Sequence, residues 1–178
     1  MNVTDDIYVS RVIGYLDIET SFSGDLTVFG LLRSNGPLVQ IVGRAIDRES
    51  VEASLKGLDT LCTFNGEGFD LPVLRRTLGI GLLERYRSLD LSLDCRRVGI
   101  RGGLKKIEMG MQIPRRLRNV NGYDAMLLWE RWEKGEREAL DVLLEYNRDD
   151  VINLALLERR LRGDLEMPQP VEHVIVGA

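Results

Sequence analysis

The chain carries one histidine, two cysteines and five prolines in 178 residues, and each scarcity removes a class of chemistry. The single histidine, His173, stands near the C-terminal end, which makes zinc sites built on histidine and histidine-activated nucleophiles implausible. Cys62 and Cys95 lie in apolar or basic surroundings without CxxC spacing, so neither a disulfide framework nor a thiolate metal site is expected. No apolar run approaches the ~20 residues needed to cross a bilayer. The opening "MNVTDDIYVS" has neither the basic start nor the apolar core of a secretion signal. A cytoplasmic protein without membrane contact is the economical expectation.

What is present is ordinary for a globular protein, with 44% hydrophobic and 29% charged residues. The length suits one domain, here residues 1–163, followed by a tail over 164–178. The net charge of −4 argues against a general polyanion binder, but the charge is unevenly spread. Residues 75–118 hold 12 Lys/Arg against 4 Asp/Glu, a local +8 that leaves −12 on the rest of the chain. Such asymmetry fits a protein that grips phosphates with one region and cations with another. On charge alone, a solvated arginine-rich face explains it equally well.

Hydrophobic patterning predicts a strand over 11–20, "RVIGYLDIET", then two β-rich runs, 25–33 and 37–46, flanking the turn signal "SNG". An antiparallel three-stranded meander follows from these. Residues 48–58 have helical spacing, "TLCTFNG" (60–66) reads as a buried strand, and 70–79 as a helix with Pro72 in its first turn and Gly79 as its stop. A short strand is expected at 88–92 and a short helix after Gly102-Gly103. Two longer helices are expected at 123–135 and 137–163. The tail has no evident place in the core. Its apolar ending "VIVGA" leaves three options open: packing on the domain, pairing with a second copy as a homo-oligomer, or disorder. The pattern as a whole indicates an α/β fold with a mixed β-sheet, three antiparallel N-terminal strands and flanking helices.

Acids are rare in buried strands, because an unpaired carboxylate in an apolar setting is costly. Asp17 and Glu19 nevertheless fall at i and i+2 of the first strand and so share one face. Two neighbouring negative charges call for a cation, and hard ions such as Mg²⁺ or Mn²⁺ suit oxygen ligands; a strand end with both acids in solvent is the plain alternative. Asp70 at the start of a helix reads first as an N-cap, and Asn65 before Gly66 as turn chemistry. On a helical wheel of about 100° per residue with Leu140 at 0°, the apolar arc runs from roughly 260° to roughly 60°. Asp150 falls near 280°, within it, Asp149 near 180°, and Tyr146 near 240° at its edge. Asp149 is therefore expected to be solvated and Asp150 to point inward.

Three motifs in order, Asp-x-Glu-Thr (17–20), Asn-x-x-x-Phe-Asp (65–70) and Tyr-x-x-x-Asp (146–150), together resemble the DEDD (DnaQ-like) exonuclease superfamily. The stretch "RGGLKKIEMGMQIPRR…GYDAMLLWERWEKGE…LLEYNRDDV" further resembles its YprB-type ribonuclease H-like group, over roughly residues 11–162. The tyrosine in the last motif, where many relatives have histidine, marks the tyrosine (DEDDy) subtype.

The resemblance implies a ribonuclease H-like fold and a two-metal phosphodiesterase with Mg²⁺ or Mn²⁺. Asp17, Glu19 and Asp150 would hold one ion. Asp17, with Asp70 reaching directly or through water, would hold the second. Tyr146 would orient the attacking water. It also implies a nucleic acid substrate, DNA or RNA, cut 3′→5′ from single-stranded ends. Thr20 and Asn65 would contact the terminal nucleotide. Phe69, Phe22 and Tyr123 are candidates for base stacking, with Lys105 and Lys106 on the path of the strand. Trp129 and Trp132 fit helix packing better. A non-catalytic nucleic-acid-binding module and a structure-specific endonuclease on the same metal site are the competing readings.

Overall fold

The hairpin signalled by "SNG" joins β2 (Leu26–Arg33) to β3 (Leu38–Val42), and both extend the antiparallel meander begun by β1 (Ile13–Thr20). The computed structural model describes residues 11–163 and 172–177. After the meander come α1 (Arg48–Leu55), β4 (Thr60–Thr63), α2 (Asp70–Leu78), β5 (Arg87–Asp90) and α3 (Leu91–Arg97). They are followed by α4 (Leu104–Gly110), α5 (Gly122–Glu133), α6 (Arg137–Leu161) and β6 (His173–Val176). Among the described residues, six strands form one mixed sheet in the order β5-β4-β1-β2-β3-β6, with β4 parallel to β1, β5 parallel to β4 and β6 parallel to β3. The helix stop expected at Gly79 holds, with a left-handed φ of 68°.

Strand alternation sorts the apolar residues onto two faces. Leu16, Ile18, Phe29, Leu31 and Ile41 pack beneath α1 and α2 in one continuous core. The opposite face carries two separate apolar clusters. One joins Tyr15, Leu32 and Leu38 to Leu91 of α3 and to Val151, Leu154 and Leu157 of α6. The other joins Val28 and Val42 to Trp129 of α5 and to Leu140, Leu143 and Tyr146 of α6. Trp129 is thus a packing residue, as its helical spacing indicates.

Between these clusters runs a polar seam. Asp17, Gly30 and Gln40 are register neighbours on β1, β2 and β3, and α6 lies across them. Gly30 permits that approach, because a Cβ there would sit 2.2 Å from Asn147 Oδ1 and 2.9 Å from Val151 Cγ2. Both neighbours belong to a buried helix that cannot retreat freely. Gly30→Ala is therefore expected to destabilise by about 1–3 kcal/mol through overpacking, read as a fall of several degrees in thermal midpoint. An unchanged midpoint would mean that α6 yields at this point.

Two elements were not legible locally. "SLDLSL" alternates with period two, as a strand does, yet the Asp90 carboxylate accepts from the Ser92 backbone N–H and turns the chain into α3 after β5 has run only four residues. In the tail, His173–Val176 add a sixth strand along β3; a four-residue run carries no local record of a partner some 130 positions away. Among the described residues, no helix is long and apolar enough to cross a membrane.

Candidate metal centre

β1 outruns its parallel neighbour: β4 pairs only with Ile13–Tyr15, so among the described residues the far half of that β1 edge is unpaired by a strand. This is where the acids collect. Asp70 is the first residue of α2 rather than its N-cap, a position held by Phe69 with no side-chain cap. The Asp70 carboxylate reaches across and accepts from the Ile18 backbone N–H at 3.1 Å, between Asp17 and Glu19. The capping role that its sequence position favours is therefore not the one it plays. Asn65 precedes this helix with a left-handed φ of 61°, and its backbone N–H is held by Asp90 Oδ1 at 2.8 Å.

From the other side α6 delivers Asp150. Carboxylate oxygens of Asp17, Glu19 and Asp150 lie within 4.8 Å of one another. Glu19, Asp70 and Asp150 are buried and Asp17 is half-buried. Burial and mutual repulsion disfavour the ionised forms. The Glu19 carboxyl is pushed up to about 8, by burial first and then by the charge of Asp70. Burial also lifts Asp70 to about 7, against the pull of the Ile18 N–H. Asp17 is held well above the usual carboxylate range by burial, Glu19 and Asp70. Such a group of hard oxygen donors fits a divalent cation, which would replace the missing solvation and offset the repulsion.

Positive charge already stands beside the cluster. The buried Arg115 guanidinium is bidentate on Glu108, at 2.8 and 3.1 Å, and its Nη2 also donates to Asp150 Oδ1. Asn153 supports Glu108 Oε1 at 2.9 Å. Lys105 Nζ lies 4.5 Å from the centroid of the Tyr146 ring, and the Arg115 guanidinium carbon 5.6 Å from it. Among the described residues, neither Lys105 Nζ nor Arg115 Nη1 has a hydrogen-bond partner. Both residues line a cavity of about 550 Å³ together with Lys106 and Arg118. Tyr146 is buried, and burial with the nearby Glu19 and Asp17 charges raises its phenol further, so it stays protonated at neutral pH.

Asp149 corrects the wheel. It is buried, and its Oδ2 accepts from the backbone N–H groups of Arg116 at 2.8 Å and Leu117 at 3.1 Å. The wheel assigns one wet side to α6, but the chain between α4 and α5 crosses that side and takes Asp149 as its anchor. The loop so fixed is the one that presents Arg115.

Thr20 is half-buried at the end of β1, Lys106 is exposed, and Phe69 is 46% exposed beside Asp70. Phe22 and Tyr123, also exposed, meet edge to face at 5.5 Å. Arg115, Glu108, Gln40 and Asn147 escaped the sequence reading, although two left a signal. Asn147 falls near 340° on the wheel, inside the apolar arc, and Gln40 is the one polar residue of "LVQIV". Arg115 left none, as one of twelve basic residues in 75–118.

A mixed sheet covered by helices on both faces, with acids gathered at the free edge of its central strand, defines a ribonuclease H-like domain. The sequence pattern of the RNase H superfamily matches residues 14–162, and the chain belongs to that superfamily. No curated protein sequence matches it. Among solved structures, it is similar to the family B DNA polymerase of the hyperthermophilic archaeon Pyrobaculum calidifontis. The TM-score is 0.64 at 16% identity, over 84% of this chain and 24% of the polymerase. The likeness at that identity is one of fold, and this chain spans about a quarter of the polymerase.

Proposed function

We propose that the protein is a metal-dependent exonuclease of the tyrosine DEDD type, in the YprB-like group, hydrolysing DNA or RNA from single-stranded 3′ ends. The observation that carries this reading is the meeting of Asp17, Glu19 and Asp150 within 4.8 Å, with Asp70 alongside. Asp17, Glu19 and Asp150 would hold one divalent ion, and Asp17 with Asp70 the second. When bound, Mg²⁺ or Mn²⁺ supplies an activated water and charge stabilisation at the leaving oxygen. Tyr146, kept protonated by burial, orients that water through its hydroxyl. Lys105 and Arg115, beside Tyr146 and Asp150, would set positive charge against the phosphate of a bound strand, in a site dry enough for that charge to count. Thr20, Asn65 and Phe69 flank the path of the terminal nucleotide, and Lys106 extends it along the basic cavity.

The test uses purified protein with single-stranded DNA and RNA labelled at either end, in Mn²⁺, Mg²⁺ or EDTA. A ladder shortening from the 3′ end, dependent on the ion, is expected. Internal cuts would replace this reading by an endonuclease. Binding without cleavage in any metal would leave a binding module.

A further inference from the structure

The polar seam under α6 is a continuous hydrogen-bonded chain that reaches from the candidate metal centre to the C-terminal strand. Asn147 Nδ2 donates to Asp17 Oδ2 at 2.9 Å and to the Asp17 backbone oxygen at 3.3 Å. Asn147 Oδ1 accepts from Gln40 Nε2 at 2.7 Å, and the same Gln40 amide donates to the Leu144 backbone oxygen at 2.9 Å. Gln40 Oε1 then lies 2.8 Å from His173 Nε2 on β6. Gln40 and Asn147 are both wholly buried, where an unpaired amide would be costly. Here both amides have their oxygens and nitrogens partnered.

The direction of the chain follows from its acceptors. Both N–H groups of Gln40 face oxygens, so its amide cannot flip without setting oxygen against oxygen. Its carbonyl must therefore face His173, and His173 Nε2 must carry the proton. Donors run one way: His173 to Gln40, Gln40 to Asn147, Asn147 to Asp17. Protonation of the imidazole leaves the Nε2–H in place, so the chain persists in either charge state of His173.

We propose that His173, Gln40 and Asn147 are positioning residues for Asp17, and that docking of β6 and metal binding reinforce each other through them. The inference rests on the metal-centre reading above. Asp17 is the carboxylate asked to serve both ions, so its orientation matters most. Asn147 holds Asp17 Oδ2, and a carboxylate oxygen of Asp17 lies within 4.8 Å of those of Glu19 and Asp150. Partners behind a metal ligand typically change affinity by about 10–100-fold when removed, and linkage makes such coupling reciprocal. The Gly30 gap belongs to this arrangement, since any side chain there would occupy the place of the Asn147 carboxamide.

The experiment measures Mn²⁺ affinity of the full chain by calorimetry for wild type, Asn147→Leu, Gln40→Leu, His173→Ala and His173→Gln. Mn²⁺ binding should weaken by about 10–100-fold in Asn147→Leu, by a smaller factor in Gln40→Leu and by a few-fold in His173→Ala. His173→Gln, whose amide can donate to Gln40, should recover wild-type affinity, a rescue that a purely structural effect on β6 would not give. In parallel, Mg²⁺ should slow exchange of the His173 Nε2–H in wild type and leave it unchanged in Asn147→Leu. If Asn147→Leu does not fold, the His173 pair and the exchange measurement still decide. Wild-type binding with unaltered affinity in Asn147→Leu and Gln40→Leu, or equal affinities for His173→Ala and His173→Gln, would overturn this inference alone. A wild type that binds no Mn²⁺ would overturn the metal-centre reading and the inference with it.

Discussion

Replacing Asp150 with alanine is expected to lower hydrolysis by at least about a thousandfold, the equivalent of about 4 kcal/mol of transition-state stabilisation. It should also weaken the fold, because Asp150 is a partner of the buried Arg115 guanidinium. Removing one member of a buried ion pair costs about 3–5 kcal/mol when the other is left alone. Arg115 keeps its bidentate Glu108, so about 2–3 kcal/mol is the expected loss. Asp150→Asn separates the two effects. Its carbonyl still accepts from Arg115, so stability should largely return while the ligand charge, and with it activity, does not.

Asp149→Ala makes the contrast with its neighbour. The wheel, taken alone, predicts little effect from it. With two backbone N–H groups bound to its carboxylate, the expected cost is about 2–3 kcal/mol of stability. A reduction of activity should accompany it through a loosened Arg115, without the abolition expected at Asp150. Thermal midpoints and single-turnover rates of the three variants check the set. Full activity and a wild-type midpoint in Asp149→Ala would remove the anchoring role, and measurable turnover in Asp150→Asn near the wild-type rate would remove Asp150 from the metal centre.

The difference between the two adjacent aspartates also marks how far the sequence could be read. Periodicity is a local property, and it located the meander, the long helices and the inward turn of Asp150. It assumes that the face of a helix away from its apolar arc is wet, however, and on α6 that side is crossed by the 115–117 loop. Asp70 follows the same rule. Its position before Pro72 is a cap by local chemistry, and only the early end of β4 frees the Ile18 N–H that captures its carboxylate. Arg115 and β6 are the limiting cases. One is a basic residue among many until the fold buries it against Glu108, and the other is a short apolar run until β3 offers an edge.

In EDTA the protein should lose stability as pH rises from about 5 to about 8, and Mn²⁺ should invert that slope. Glu19 and Asp70 are raised by the fold to about 8 and about 7, above the ordinary carboxylate range of about 4. An acid raised in this way binds its proton more tightly folded than unfolded. Its contribution is therefore fully present below the unfolded value and is lost as pH climbs through the folded one. Cation binding needs the ionised carboxylates, so affinity for Mn²⁺ should rise across the same window and level off above about pH 8. At a hundredfold excess over Kd the ion adds about 2.7 kcal/mol, or about 5–10 °C in midpoint for a chain of this size. Glu19→Gln isolates the cause. It should raise the EDTA midpoint at pH 8, flatten the slope and forfeit most of the Mn²⁺ response, because the same repulsion that strains the empty cluster draws in the ion. Parallel EDTA slopes for wild type and Glu19→Gln, or a Mn²⁺ shift independent of pH, would assign the pH dependence to groups outside the cluster.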